Sequence, residues 1–181
     1  MRILPNRTVR RRPRGTTCCR SRRRDALRQL WCDPRANSGV RAVSINRVIV
    51  EADGGSRGNP GPAGYGAIVC DEDDNVLIDR NGFIGVATNN VAEYTGLIKG
   101  LEAAAQLGAR EVRVRMDSKL VVEQMNGNWK IRNPGLKPLA TDAQRLAAKF
   151  DSVSYEWIPR AQNARADALA NEAMDDGSAK T

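Results

Sequence analysis

From Arg47 onward, apolar and polar positions fall into short regular blocks, and each block predicts an element. Val48-Ile49-Val50 is a continuous apolar run ahead of Asp53, as expected of a short buried strand. Gly64 to Cys70 and Val76 to Gly85 predict two more strands, joined by the polar turn Asp71-Glu72-Asp73-Asp74-Asn75. Asn90 to Leu107 has helical spacing, with Ala92, Leu97, Leu101, Ala104 and Ala105 along one side and Gly108 ending it. Glu111 to Met116 alternates, turning Val112, Val114 and Met116 to one face of a fourth strand. A helix follows from Ser118 to Met125. A linker with Pro134 and Pro138 leads to a helix over Leu139 to Lys149, then a strand over Val153 to Ile158 and a closing helix over Ala164 to Met174.

The order β-β-β-α-β-α-α-β-α predicts an α/β domain with a five-stranded mixed sheet flanked by helices. Right-handed crossovers would set the fourth strand parallel to the first and beside it. Asp53 and Asp117, each just past a strand in this reading, would then emerge together at one edge of the sheet, where open α/β sheets form their sites.

Residues 1–46 lack this regularity. They hold thirteen arginines, no lysine and only Asp25 and Asp33 as acids, a net +11 that reads as a disordered polycation. The other 135 residues hold 16 basic and 19 acidic side chains, a net −3. The overall charge of +8 therefore belongs to the N-terminal segment, and it says nothing of nucleic-acid binding by the domain. That segment reads as a nucleic-acid tether, an inert tail, or sequence upstream of a misplaced start codon. Thirteen arginines without a lysine favour the third, with Val40 or Val43 as the true beginning. The domain is expected over 47–175, with a polar tail at 176–181.

Cys18, Cys19, Cys32 and Cys70 fit no paired zinc spacing, and the chain has no histidine. So few cysteines predict no disulfide framework and a reducing cytoplasm. No run reaches the roughly 18–20 apolar residues of a membrane helix.

Four acids stand where acids are awkward: Asp53 and Asp117 after buried strands, Glu93 and Asp167 in the first turns of helices. Taken singly, the helical pair would be explained by the dipole and the strand pair by turn formation. Taken together, four carboxylates converging on one pocket repel unless a cation neutralises them. Oxygen ligands without His or Cys select hard cations, Mg²⁺ or Mn²⁺. Two such ions sharing a phosphate oxygen are the arrangement for in-line phosphodiester hydrolysis.

The run Asp53-Gly54-Gly55-Ser56-Arg57-Gly58-Asn59-Pro60-Gly61-Pro62 resembles the opening motif of ribonuclease H type 1. Thr88-Asn89-Asn90-Val91-Ala92-Glu93, Met116-Asp117-Ser118 and Asn163-Ala164-Arg165-Ala166-Asp167-Ala168-Leu169-Ala170 resemble its second, third and fourth motifs, in family order. The resemblance implies the ribonuclease H-like fold and cleavage of the RNA strand of an RNA–DNA hybrid by two Mg²⁺ or Mn²⁺ ions. Asp53, Glu93, Asp117 and Asp167 would hold the metals. Asn59, Asn89 and Asn90 would meet the minor groove, where amides suit 2′-hydroxyls. Thr88 would meet a DNA phosphate. The glycines of the first motif are expected to let the nucleic-acid backbone approach closely.

The chain also departs from the family pattern. A loop histidine of many members is missing, which resembles the histidine-free branch of some archaea and high-GC bacteria. Arg160 is the expected substitute, as a phosphate contact, since arginine stays protonated. Lys119 replaces a common glutamine. The basic, Trp-rich protrusion is absent, leaving Trp129 to stack on the DNA strand or to sit in the core. Without that protrusion, weaker hybrid binding is expected. The domain is expected to act as a monomer off the membrane. The rival reading is a catalytically silent hybrid-binding module, against which the four intact acids argue, because an unused carboxylate cluster would only repel nucleic acid.

Overall fold

Each apolar block becomes an element in a computed structural model that describes residues 46–179. The expectations for the Arg-rich segment fall almost wholly on residues 1–45, outside the described residues. The strands are β1 (Arg47–Ser56), β2 (Gly61–Cys70), β3 (Val76–Ala87), β4 (Glu111–Met116) and β5 (Ser152–Trp157). The helices are α1 (Asn89–Gln106), α2 (Lys119–Met125), α3 (Lys137–Ala147) and α4 (Ala164–Ser178). A 3-10 turn at Arg160–Gln162 leads into α4. No helix among the described residues is long and apolar enough to cross a membrane.

The sheet order is β3-β2-β1-β4-β5. β1 to β3 form an antiparallel meander, and β4 pairs in parallel with β1 on one side and β5 on the other. The expected placement of β4 parallel to β1 and beside it therefore holds, with Val50 opposite Val114. Alternation along β1 turns Val48, Val50 and Ala52 into the main core with Leu97, Leu101, Val112, Val114 and Met116. Ile49 faces the other way, in a smaller cluster with Ile68 and Cys70 against Leu169 of α4. Leu97 and Leu101 are fully buried, each contributing about 1.5–3 kcal/mol of apolar transfer.

Of the boundaries that differ from the sequence reading, four carry a consequence. β1 runs through Asp53 to Ser56, because the backbone of Asp53-Gly54-Gly55-Ser56 pairs in register with Ala63 to Gly66 of β2. Asp53 thus lies inside a strand and not after it. α1 starts at Asn89, which puts Glu93 beyond the first turn. The dipole explanation of Glu93 falls with that. Pro138 sits in the first turn of α3, where its missing N–H costs nothing. α4 continues past Met174 to Ser178.

One buried polar bond joins α1 to α2: the Tyr94 hydroxyl donates to Gln124 Oε1 at 2.8 Å. Tyr94→Phe would leave that acceptor without its donor. Thermal unfolding of the variant should show a loss of about 1–2 kcal/mol. An unchanged midpoint would mean that water replaces the hydroxyl.

Candidate active site

Glycine sets how closely the acid-bearing helices approach the sheet. A Cβ on Gly54 would fall 2.1 Å from the carbonyl carbon of Ala92, and one on Gly96 would fall 2.5 Å from the Asp53 carbonyl oxygen. α1 therefore crosses β1 backbone to backbone beside Asp53, which carries Glu93 to the same point. A Cβ on Gly66 would meet the Ala166 carbonyl oxygen at 2.3 Å, so α4 is seated on β2 just before Asp167. The expectation that the first motif's glycines open space for nucleic acid is corrected at Gly54: helix backbone fills that space.

The result gathers three carboxylates. Oxygens of Asp53, Glu93 and Asp117 lie within 4.8 Å of one another. Asp53 and Glu93 are buried, at 4% and 6% exposure, and Asp117 is half-buried at the end of β4. Asp167 stands outside that trio, yet it lines the same cleft of about 260 Å³ with Asp53, Glu93, Asn89 and Arg160. Its negative charge also adds to the pressure on the Asp53 carboxyl. Among the described residues this is the one group of three or more acids, cysteines or histidines close enough to hold a metal ion.

Burial, reinforced by the Asp117 charge, pushes the Asp53 carboxyl up to about 7. Burial raises Glu93 further, to about 9, with Asp53 and Asp117 adding repulsion and Asn89 and Arg160 opposing it. Asn89 Nδ2 donates to Glu93 Oε1 at 3.3 Å, whereas the buried Glu93 Oε2 has no partner. An orphaned carboxylate oxygen, two crowded neighbours and an all-oxygen donor set suit a hard divalent cation.

The other expected residues divide. Asn59 Oδ1 accepts from the Asn89 backbone N–H at 3.4 Å, so these two meet beside the acids. Thr88 precedes α1 as its N-cap without a side-chain cap bond, and Asn90 is half-buried in the first turn. Lys119 is exposed at the start of α2, two residues past Asp117. Trp129 is 47% exposed, which removes the core alternative. It lines a separate cleft with Asn128, Lys130 and Arg132. Arg160 is exposed and its guanidinium pairs with Asp167.

Sequence reading missed three supporting groups. Asn163 is fully buried and donates through Nδ2 to Asp117 Oδ1 and to the Ala52 carbonyl, each at 3.0 Å. Trp157 Nε1 donates to the Asp117 carbonyl at 3.0 Å. Asn171 Nδ2 donates to Asp167 Oδ2 at 3.1 Å. The signal for Asn163 was its place directly before a helix, a position that favours a capping amide. Here that amide holds the Asp117 carboxylate instead, with no side-chain cap bond to α4. Nothing in the pattern marked Trp157, which reads as one more strand residue.

The reverse transcriptase-like family model matches residues 51–173. The bifunctional protein Rv2228c of Mycobacterium tuberculosis is 61% identical over 130 residues, covering 71% of this chain and 36% of that protein. The chain thus spans about a third of the length of its mycobacterial relatives. The crystal structure of RNase H1 from Halobacterium salinarum is 46% identical, with a TM-score of 0.70 over 72% of this chain and 99% of that one. LC11-RNase H1, solved in complex with an RNA/DNA hybrid, is 44% identical, with a TM-score of 0.69 over 72% of this chain and 98% of that one.

Proposed function

The chain belongs to the ribonuclease H type 1 family, and from that premise we propose that it hydrolyses the RNA strand of RNA–DNA hybrids internally, leaving 5′-phosphate and 3′-hydroxyl ends. The observation that carries the reading is the trio Asp53, Glu93 and Asp117, with Asp167 lining one cleft with Asp53 and Glu93. These acids would hold two Mg²⁺ or Mn²⁺ ions. When bound, such ions supply a lowered pKa for the attacking water and neutralise charge on the transferring phosphate.

The chain's own residues account for the rest. Asp53 and Glu93 are buried and reluctant to ionise alone, so the pocket is poised to exchange protons for cations. Asn163 and Trp157 fix the side chain and the carbonyl of Asp117. Asn59, Asn89 and Asn90 offer amides to 2′-hydroxyls, which gives a preference for RNA over DNA. Thr88 and Lys119 would meet the phosphate backbone, and Trp129 would stack on the DNA strand. We propose further that it works as a monomer in the cytoplasm, where its few cysteines would stay reduced.

Arg160 would leave Asp167 and contact a substrate phosphate when cations enter. Arg160→Ala should lower kcat about tenfold, the size of one charge-assisted hydrogen bond. An unchanged kcat at saturating hybrid would remove that role. The test of the whole reading is a labelled RNA–DNA hybrid incubated with Mg²⁺ or Mn²⁺ and with EDTA. Cutting confined to the RNA strand and lost in EDTA is expected; binding without cutting would instead favour a silent hybrid-binding module.

A further inference from the structure

The carboxylates come from separate elements, and Asp167 rides on α4 alone, so the seat of α4 decides where the fourth acid stands. The first turn of α4 carries an unexpected clasp. Arg165, its second residue, reaches Glu51 of β1 in a bidentate pair, Nε to Oε2 at 3.1 Å and Nη2 to Oε1 at 3.0 Å. Its Nη1 donates to the Asp74 carbonyl of the β2–β3 hairpin at 3.3 Å. Glu51 is 3% exposed.

Both partners are costly choices. A cation in the first turn of a helix faces the positive end of the dipole. A buried carboxylate must be paired, and the pair as a whole seldom stabilises more than well-packed apolar side chains would. Stability alone therefore explains the pair poorly, whereas register explains it well. Glu51 precedes Asp53 by two residues, on the same face of β1. Arg165 lies two residues after Asn163, which holds Asp117, and two before Asp167. The clasp thus joins β1 to α4 one step away from all three.

We propose that the Glu51–Arg165 pair is a positioning device that sets Asp167 and Asn163 against Asp53 and Asp117. It rests on the metal-dependent reading above, and neither residue touches the reacting atoms. The pair acts by locking the helix start to the strand that carries the first acid, much as outer ligands orient the inner ones of a metal site.

The decisive variant is the double substitution Glu51→Gln/Arg165→Met. It leaves net charge unchanged and strands no buried charge, so folding should survive. Calorimetric titration of the free protein with Mn²⁺ should show affinity about tenfold weaker. With hybrid, kcat should fall while KM for hybrid stays near wild type. Arg165→Lys keeps the charge without the two-pronged fork and should fall between the two. Wild-type Mn²⁺ affinity and kcat in the folded double variant would overturn the proposal. If the double variant melts early, the same wild-type values in Arg165→Lys would overturn it. A wild-type protein that neither binds Mn²⁺ nor cuts hybrid would overturn the parent reading, a result distinct from failure in the variants alone.

Discussion

Asp117→Asn is expected to lower metal-dependent cleavage of the RNA strand by a factor of 10³ or more, roughly 4 kcal/mol of lost transition-state stabilisation. The residue suits this test better than its neighbours. Asp53 and Glu93 are so deeply buried that substitution there also changes the stability of the fold. Asp117 is half-buried at the end of β4, and its supports survive the exchange. An asparagine Oδ1 still accepts the 3.0 Å bond from Asn163 Nδ2, and the backbone carbonyl still accepts from Trp157 Nε1. The variant therefore keeps its shape and loses one negative charge from a site that needs charge to hold cations. Hybrid affinity in EDTA should stay the same or rise, because one repulsion of phosphate is gone. Cleavage within tenfold of wild type would sink the assignment of Asp117 to the metal site. Lost cleavage together with a collapsed melting temperature would point to a structural role for it.

The fold was legible because its signals are periodic. The alternation of Val112, Val114 and Met116 and the run Val48-Ile49-Val50 each specify a buried face, and a parallel β1–β4 pair follows from crossover handedness. The convergence of Asp53, Glu93 and Asp117 was legible because each belongs to a motif and because carboxylates placed near buried elements are rare. What escaped reading depends on contacts between distant segments. Gly54 reads as room for a nucleic-acid backbone, yet it is a strand residue pressed on Ala92. Glu51 reads as one position in a strand, and its meaning appears only once Arg165, 114 residues away, is placed on it. Asn163 likewise reads as the end of a loop until its amide is found on Asp117. Trp129 was ambiguous for a related reason: no period decides whether a lone aromatic after a helix turns inward, and here it turns to solvent.

In the metal-free protein, stability is expected to fall as pH rises from about 5 to 8. The sign follows from Asp53, raised to about 7, and Glu93, raised to about 9. Both bind a proton more tightly when folded than when unfolded, where they return to ordinary carboxylate values. Their contribution is complete below the unfolded pKa and is lost as pH climbs through the folded one. Asp71 works in the opposite sense, since its bonds to Asn75 and Asp73 lower its pKa, so its contribution is lost only at more acid pH. Glu93→Gln should therefore melt above wild type at pH 8 in EDTA, by about 2–3 kcal/mol or roughly 5–10 °C for a domain of this size. Saturating Mn²⁺ should reverse the order. It stabilises the ionised wild-type pocket, more strongly as pH rises, and does far less for the glutamine variant. A flat melting profile in EDTA between pH 5 and 8 would show that the trio is hydrated well enough to ionise without a cation. A Glu93→Gln variant stabilised by Mn²⁺ as much as wild type would remove Glu93 from the ligand set, and leave its buried, unpartnered oxygen as a cost with no function.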